Sequence, residues 1–206
     1  MEILNFMKDN LMPIILILVW LYALSTCKRS SLAYHRFFIG SVGLFTLLLW
    51  FLKPRLTTYL AKFITLLSGI VGKLFSIYET YPKYGMIFVE SKVGPISLYV
   101  DYECAGLVEI IVFISLVAFF PLFKKAEKWS IMTIGTLWII VSNVVRIATI
   151  CCVLHFFGAN YYYLAHTIIG RLVFYFLMIS LYFVVFTKKQ ILRQKVGNFD
   201  YATNVT

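Results

Sequence analysis

The chain has 206 residues, of which 61% are hydrophobic and only 14% are charged. Soluble domains carry about 25% charged residues, so this composition excludes an ordinary soluble domain. The net charge of +10 does not indicate nucleic-acid binding, because many Lys and Arg stand in short clusters beside apolar runs, where they set membrane orientation. We expect a single all-α polytopic membrane domain over residues 1–206, with the lipid bilayer as its surroundings.

Five apolar runs approach the length of about 20 residues that a membrane-spanning helix needs. The predicted spans are residues 11–27, 37–52, 105–123, 129–153 and 166–187. The first run follows an acidic N-terminus that does not resemble a signal peptide, so we expect it to be retained as a span.

The basic residues predict the orientation of these spans. Three short segments hold ten of the nineteen Lys and Arg: Lys28, Arg29 and Arg36; Lys124, Lys125 and Lys128; Lys188, Lys189, Arg193 and Lys195. An N-out topology with five spans puts all three segments in the cytoplasm. We therefore expect a protein of the cytoplasmic membrane, with segment 53–104 outside and a cytoplasmic tail at 188–206.

The outer segment 53–104 has two predicted parts. Residues 56–77 are apolar but contain Lys62 and Lys73, which favours an amphipathic helix in the outer interface and leaves a re-entrant or sixth spanning segment open. Residues 86–90 and 96–102 are rich in β-branched and aromatic residues and flank a Gly-Pro pair. This pattern predicts a short β-hairpin that leads to Cys104.

Cys104, Arg146 and His166 come from three different spans and map to a similar, outer level of the bilayer. An arginine inside a span normally faces protein or a water-filled cavity, and Asn143 lies on the same helix face three residues earlier. Cys104 follows acidic residues that favour its neutral thiol, so a nucleophile here needs a nearby cation. Arg146 and His166 are the cations that this topology offers.

Two further charges lie inside predicted spans, Glu109 and Arg171. A structural alternative is that Glu109 neutralises Arg146 or Arg171 and holds the bundle together, with Cys104 an ordinary interfacial cysteine. The four cysteines show neither a CxxC pair nor Cys/His spacing suited to zinc. We therefore predict neither a metal site nor a cofactor.

The order of three motifs resembles the exosortase/archaeosortase family, in particular its short Gram-positive branch. The motifs are Cys104-Ala105-Gly106, Asn143-Val144-Val145-Arg146 and His166. The resemblance covers roughly residues 85–187, including the strand-rich approach to the cysteine. Ala105 departs from the Ser or Thr that many members have, and the N-terminal part is shorter than in eight-span members.

This resemblance implies a membrane-embedded cysteine transpeptidase. Its substrates would be membrane-anchored proteins with a C-terminal sorting signal, and its acceptor a lipid or a cell-surface glycan. Cys104 would form a thioester, His166 would serve as general acid and base, and Arg146 would stabilise the thiolate or the oxyanion. Asn143 and Gly106, with Glu109 and Arg171, are expected to support these three residues.

Three alternatives differ in chemistry. A non-catalytic transporter or assembly subunit would use Arg146, Glu109 and Arg171 as a structural network. A membrane disulfide oxidoreductase would need a second cysteine close to Cys104, which the sequence does not provide nearby. An intramembrane protease would hydrolyse the substrate without transferring it.

Overall fold

The structure is a computed structural model that describes residues 2–91, 94–100 and 102–191. Helix α1 covers Glu2–Arg29 and helix α2 covers Ala33–Phe75. Trp20 Nε1 of α1 donates a hydrogen bond to the carbonyl of Ile39, at 2.9 Å. The two helices are therefore antiparallel neighbours joined by a short turn.

Helix α2 runs without a break through the point where we expected its span to end, at residue 52. Residues 56–75 are helical as predicted, but they continue the second span instead of starting a separate helix. Their buried residues, among them Ala61, Ile64, Thr65 and Ser68, recur at helical spacing. This face packs against protein, while the predicted position in the outer membrane interface stays a prediction.

A three-stranded antiparallel sheet follows α2, with β1 at Tyr78–Tyr81, β2 at Met86–Ser91 and β3 at Gly94–Tyr99. The β2–β3 hairpin confirms the prediction, whereas β1 was missed because its sequence, YETY, is too short to show alternation. The hydroxyl of Tyr78 donates to the carbonyl of Ser68, at 2.9 Å. The sheet is thereby fixed to the end of α2.

The third predicted span, 105–123, is shorter than we expected. A single turn, α3 at Tyr102–Ala105, is followed by Gly106 with a positive φ of 73° and then by α4 at Leu107–Phe119. Helix α4 ends because Phe120 is extended and Pro121 follows. Its 13 residues rise only about 20 Å.

The last two helices are longer than their predicted spans. Helix α5 covers Lys125–Phe157, and His155 at its end contacts the carbonyl of Glu90 in β2. A π-helical segment at Leu164–Ile169 leads into α6 at Gly170–Tyr182, which a second π-helical segment extends through Thr187. Among the described residues, four stretches are long and apolar enough to cross a membrane: Ala33–Leu52, Leu56–Phe75, Lys125–Phe157 and Leu164–Ile191.

The buried residues form two clusters at opposite ends of the helix bundle. At the end we call the cysteine end, residues of α2 and α5 pack with the sheet around Cys104; the cluster includes Ile64, Ile87, Val89, Ile147 and Leu154. We call the opposite end the lysine end, because α5 begins there at Lys125 and Lys189 lies over the ring of Phe123. In its cluster, Phe113, Phe120 and Ile139 pack against Phe174 and Met178. Two of the four stretches that could cross a membrane belong to the single helix α2, which runs from the lysine end to the cysteine end.

Candidate active site

Cys104 lies on the single turn α3, outside the long helices, and only 7% of it is exposed. Gly106 breaks the helix two residues later by adopting the left-handed conformation. Because of this break, α3 and α4 are two helices and do not form one continuous helix. The thiol is therefore positioned by a tight bend at the cysteine end, a feature that the predicted continuous span did not contain.

Gly106 also makes room for Asn143. A Cβ atom placed on Gly106 would overlap the side-chain amide nitrogen of Asn143. Asn143 is fully buried, and its Nδ2 donates to the carbonyl of Ile139, at 3.0 Å. The glycine and the asparagine of the two motifs therefore join α5 directly to the start of α4.

His166 contacts Cys104. Its Nε2 lies 3.2 Å from the sulfur of Cys104, within hydrogen-bond distance. The residue lies in the π-helical segment Leu164–Ile169, a wider turn that is frequent at functional sites. The proximity expected from the topology is therefore observed, across 62 residues of sequence.

Tyr162 is a residue of the site that sequence reasoning missed. Its ring stacks on the imidazole of His166 with centroids 5.5 Å apart and an angle of 16° between the planes. The only sequence signal was the position of Tyr162 four residues before the histidine, the spacing of helical neighbours. Stacking fixes the plane of the imidazole and so helps to direct Nε2 at the thiol.

A small cavity of about 30 Å³ adjoins the Cys104–His166 pair. It has room for about two water molecules. Its lining is mostly apolar: Ile87, Leu98, Tyr99, Val100, Ile147, Ile150 and Tyr162, with Cys104 and His166. Charges and dipoles interact strongly in such a place, because little water is present to screen them.

Arg146 is buried on helix α5 and is not among the residues that line this cavity. It is only 4% exposed, and its guanidinium carbon is 5.7 Å from the ring centroid of Phe174 on α6, a cation–π contact. The next residue along α5, Ile147, lines the cavity. A buried cation thus stands on the helix that forms one side of the site.

Glu109 and Arg171 are half-buried and lie outside the cavity lining. Glu109 occupies the first turn of α4, and Arg171 follows Gly170, which packs closely against Ile150. Their pairing with each other or with Arg146 stays a prediction. Within the described residues, no group of three or more His, Cys, Asp or Glu side chains is arranged to hold a metal ion.

The pair of Cys104 and His166 can move a proton from sulfur to nitrogen and so produce a thiolate. That ability is what a cysteine nucleophile requires. Cys151 and Cys152 lie on α5, and the former is fully buried. The thiol in contact with a histidine is therefore the candidate for reaction.

The family model described as transmembrane exosortase matches residues 3–183. The matched range includes Cys104, Gly106, Asn143, Arg146 and His166. No curated protein and no solved structure matches this chain significantly.

Proposed function

Because the chain belongs to the transmembrane exosortase family, we propose that it is a membrane-embedded cysteine transpeptidase. Its substrates are membrane-anchored proteins with a C-terminal sorting signal, cleaved at the outer face of the cytoplasmic membrane. The observation that carries this proposal is the 3.2 Å contact between the Cys104 sulfur and His166 Nε2 beside a small, mostly apolar cavity. A bundle that served only a structural role would not need this pair.

In the proposed first half-reaction, the Cys104 proton passes to His166 and the thiolate attacks the scissile carbonyl carbon. The C–N bond of the tetrahedral intermediate then breaks, and His166 returns the proton to the leaving amine. The products are a thioester on Cys104 and a released C-terminal tail. The stacking of Tyr162 keeps the imidazole in position for both proton transfers.

In the second half-reaction, His166 takes a proton from the acceptor, a lipid or glycan component, as the acceptor attacks the thioester. The C–S bond breaks, the thiolate leaves, and the proton on His166 returns it to the thiol. Arg146 is proposed to stabilise the negative charge on sulfur or on the carbonyl oxygen. This role is supported by the burial of Arg146 on α5, next to Ile147, which lines the cavity.

Asn143 is proposed as a positioning residue because it packs on Gly106, two residues after the nucleophile. Glu109 and Arg171 are proposed to set the electrostatic field around Arg146, since they carry charges on α4 and α6, the helices that follow Cys104 and His166 along the chain. Neither is proposed to touch the reacting atoms.

The test compares three strains of the native host, which make the wild-type chain, the Cys104→Ala variant and the Cys27→Ala variant. Cys27 is a matched control because it is buried to the same degree as Cys104 but lies at the end of α1. Mass spectrometry of membrane proteins should find a set of proteins that retain their hydrophobic C-terminal tails only in Cys104→Ala cells. Identical tails in all three strains would overturn the proposal.

The same spectra separate transfer from hydrolysis. Transfer leaves the mature C-terminus with the added mass of an acceptor, whereas hydrolysis leaves an unmodified carboxylate. We expect the added mass. An unmodified carboxylate on every processed protein would keep the cysteine chemistry but replace the transpeptidase with a protease.

A further inference from the structure

Strand β3 forms one edge of the sheet, whose order is β1-β2-β3. Helix α2 packs against β1 through the Tyr78–Ser68 hydrogen bond, and α5 reaches β2 through His155. Among the residues that the structure describes, no strand pairs with the outer side of β3. An open edge of this kind can pair with a strand of another chain, and proteins usually block such edges.

The hydrogen-bond pattern identifies the backbone groups that point outward from β3. The N–H of Val100 donates to the carbonyl of Gly85 at 2.9 Å, and these residues are directly opposed when the β2–β3 register is extended by one pair. Inward and outward groups alternate along an antiparallel strand. The N–H and C=O groups of Ser97 and Tyr99 therefore point away from β2.

Pro95 occupies the third outward position. Proline has no N–H to offer, and it is found in sheets at edge positions where that N–H would point away from the ladder. The part of the edge farthest from Cys104 thus lacks one donor. The part that remains open, at Ser97 and Tyr99, presents two donors and two acceptors.

This open part of the edge leads directly into the candidate active site. Leu98, Tyr99 and Val100 line the same cavity as Cys104 and His166. An extended chain paired with Ser97 and Tyr99 would therefore lie beside the cavity that Cys104 lines. Tyr99 is 65% exposed, so its outer side is accessible to an incoming chain.

The geometry points to β3 as the binding site for the extended substrate segment that flanks the scissile bond, which adds to the sheet as a fourth strand. This inference rests on the proposed function. Strand addition binds through main-chain hydrogen bonds, while pockets for alternate side chains select the sequence. The small apolar cavity beside Cys104 would then accept only a small side chain next to the cleaved bond.

The first experiment compares Ser97→Pro with Ser97→Ala in the host cells described above. Both variants remove the hydroxyl, but only proline removes the outward N–H, and neither removes an N–H that points towards β2. We expect tail removal to be at least tenfold slower in Ser97→Pro than in Ser97→Ala. Equal rates in two folded variants would overturn strand addition while leaving the cysteine chemistry intact.

A second experiment does not depend on the fold of the proline variant. The photo-crosslinking residue p-benzoylphenylalanine is placed at Tyr99, or as a control at Tyr84 in the turn between β1 and β2, in the Cys104→Ala chain. Both positions are at least 60% exposed. After illumination, the proteins that retain their tails in Cys104→Ala cells should be captured from position 99 and not from position 84.

Capture from both positions, or from neither, would contradict binding along β3. If Cys104→Ala cells retain no tails at all, the proposed function fails, and the inference built on it fails as well. The two failures are therefore distinguishable by the tail measurement alone.

Discussion

Gly106 meets two requirements at once, and each of them excludes a side chain. Its φ of 73° lies in the left-handed region, which costs other residues about 1–2 kcal/mol. A Cβ atom at this position would also overlap the side-chain amide of Asn143. The glycine of the Cys-Ala-Gly motif is thus explained by packing between α4 and α5.

Gly106→Ala is therefore expected to lower the free energy of unfolding by about 3 kcal/mol, the sum of a strained φ and an overpacked contact. Gly85→Ala is the matched control, because Gly85 also has a positive φ of 66° but the nearest atom to its added Cβ is 3.7 Å away. That control should lose only about 1–2 kcal/mol. Thermal unfolding in detergent measures both, and equal losses would contradict the packing argument.

The contact between Cys104 and His166 can be tested without a substrate. We expect methyl methanethiosulfonate to modify Cys104 about tenfold more slowly at neutral pH in His166→Gln, because glutamine cannot take the thiol proton. Glutamine retains a polar side chain of similar bulk, so the cavity should not open. The rate is read from the mass of the peptide that contains Cys104.

Cys152, which is half-buried on α5, gives an internal reference for this measurement. Its rate of modification should be unchanged by the substitution at His166. If Cys104 reacts equally fast in both chains, the histidine does not activate the thiol, and the structural alternative for these residues gains support.

At the scale of elements, the sequence predicted the long helices because apolar runs of this length have few other structures available. It did not predict that α2 continues past residue 52, since helix continuity there depends on packing against the sheet and α5. The third span was predicted too long at both ends, because Gly106 and the Phe120-Pro121 pair were read as parts of a helix. At Gly106 the deciding contact, with Asn143, is tertiary.

The candidate active site, too, could be predicted only in part from the sequence. Cys104, Arg146 and His166 could be placed at one level by counting residues along helices, and the contact of the first and last agrees with that count. The contribution of β3 to the cavity could not be predicted, because it depends on how the hairpin folds back over α5. The catalytic roles themselves stay predictions.

The attachment of the sheet to α2 depends on a second glycine. A Cβ atom on Gly72 would lie 2.6 Å from the backbone carbonyl oxygen of Tyr78, which cannot rotate away. We expect Gly72→Ala to cost about 1–3 kcal/mol of stability and to alter the reactivity of Cys104, since the sheet lines its cavity. The neighbouring Lys73→Ala, at an exposed position, should change neither thermal unfolding nor the modification rate.

At the scale of the whole molecule, the contacts define the path of the chain through the bundle. The start of α2 packs on the end of α4, as the close approach of Gly40 to Phe119 shows, and the end of α2 packs on the sheet. Residues 33–75 therefore run from the lysine end to the cysteine end only once. Within the described residues this leaves five passages along the bundle, by α1, α2, α4, α5 and α6 in turn.

One consequence is that the sheet and the loop before His166 must lie on the same side of the membrane. Strand β3 and Tyr162 line one cavity, so no arrangement of the helices can separate them. A topology with an additional crossing at residues 56–75 would keep them together, because only α4 and α5 lie between them, but would move both to the other side of the membrane relative to the N-terminus. Because residues 33–75 form one uninterrupted helix, the structure favours the arrangement with an odd number of passages, and the basic clusters predict its direction.

Single cysteines introduced into a chain whose own cysteines are replaced by alanine test this direction. Tyr163→Cys and Tyr84→Cys, at positions 70% and 60% exposed, should react with a membrane-impermeant maleimide added to intact cells. Lys125→Cys, at the start of α5, should react only after the membrane is opened, because the basic clusters favour the cytoplasm. The reverse pattern would place the Cys104–His166 pair on the cytoplasmic side, away from any substrate cleaved at the cell surface, and labelling of Tyr84 and Tyr163 from different sides would contradict the fold itself.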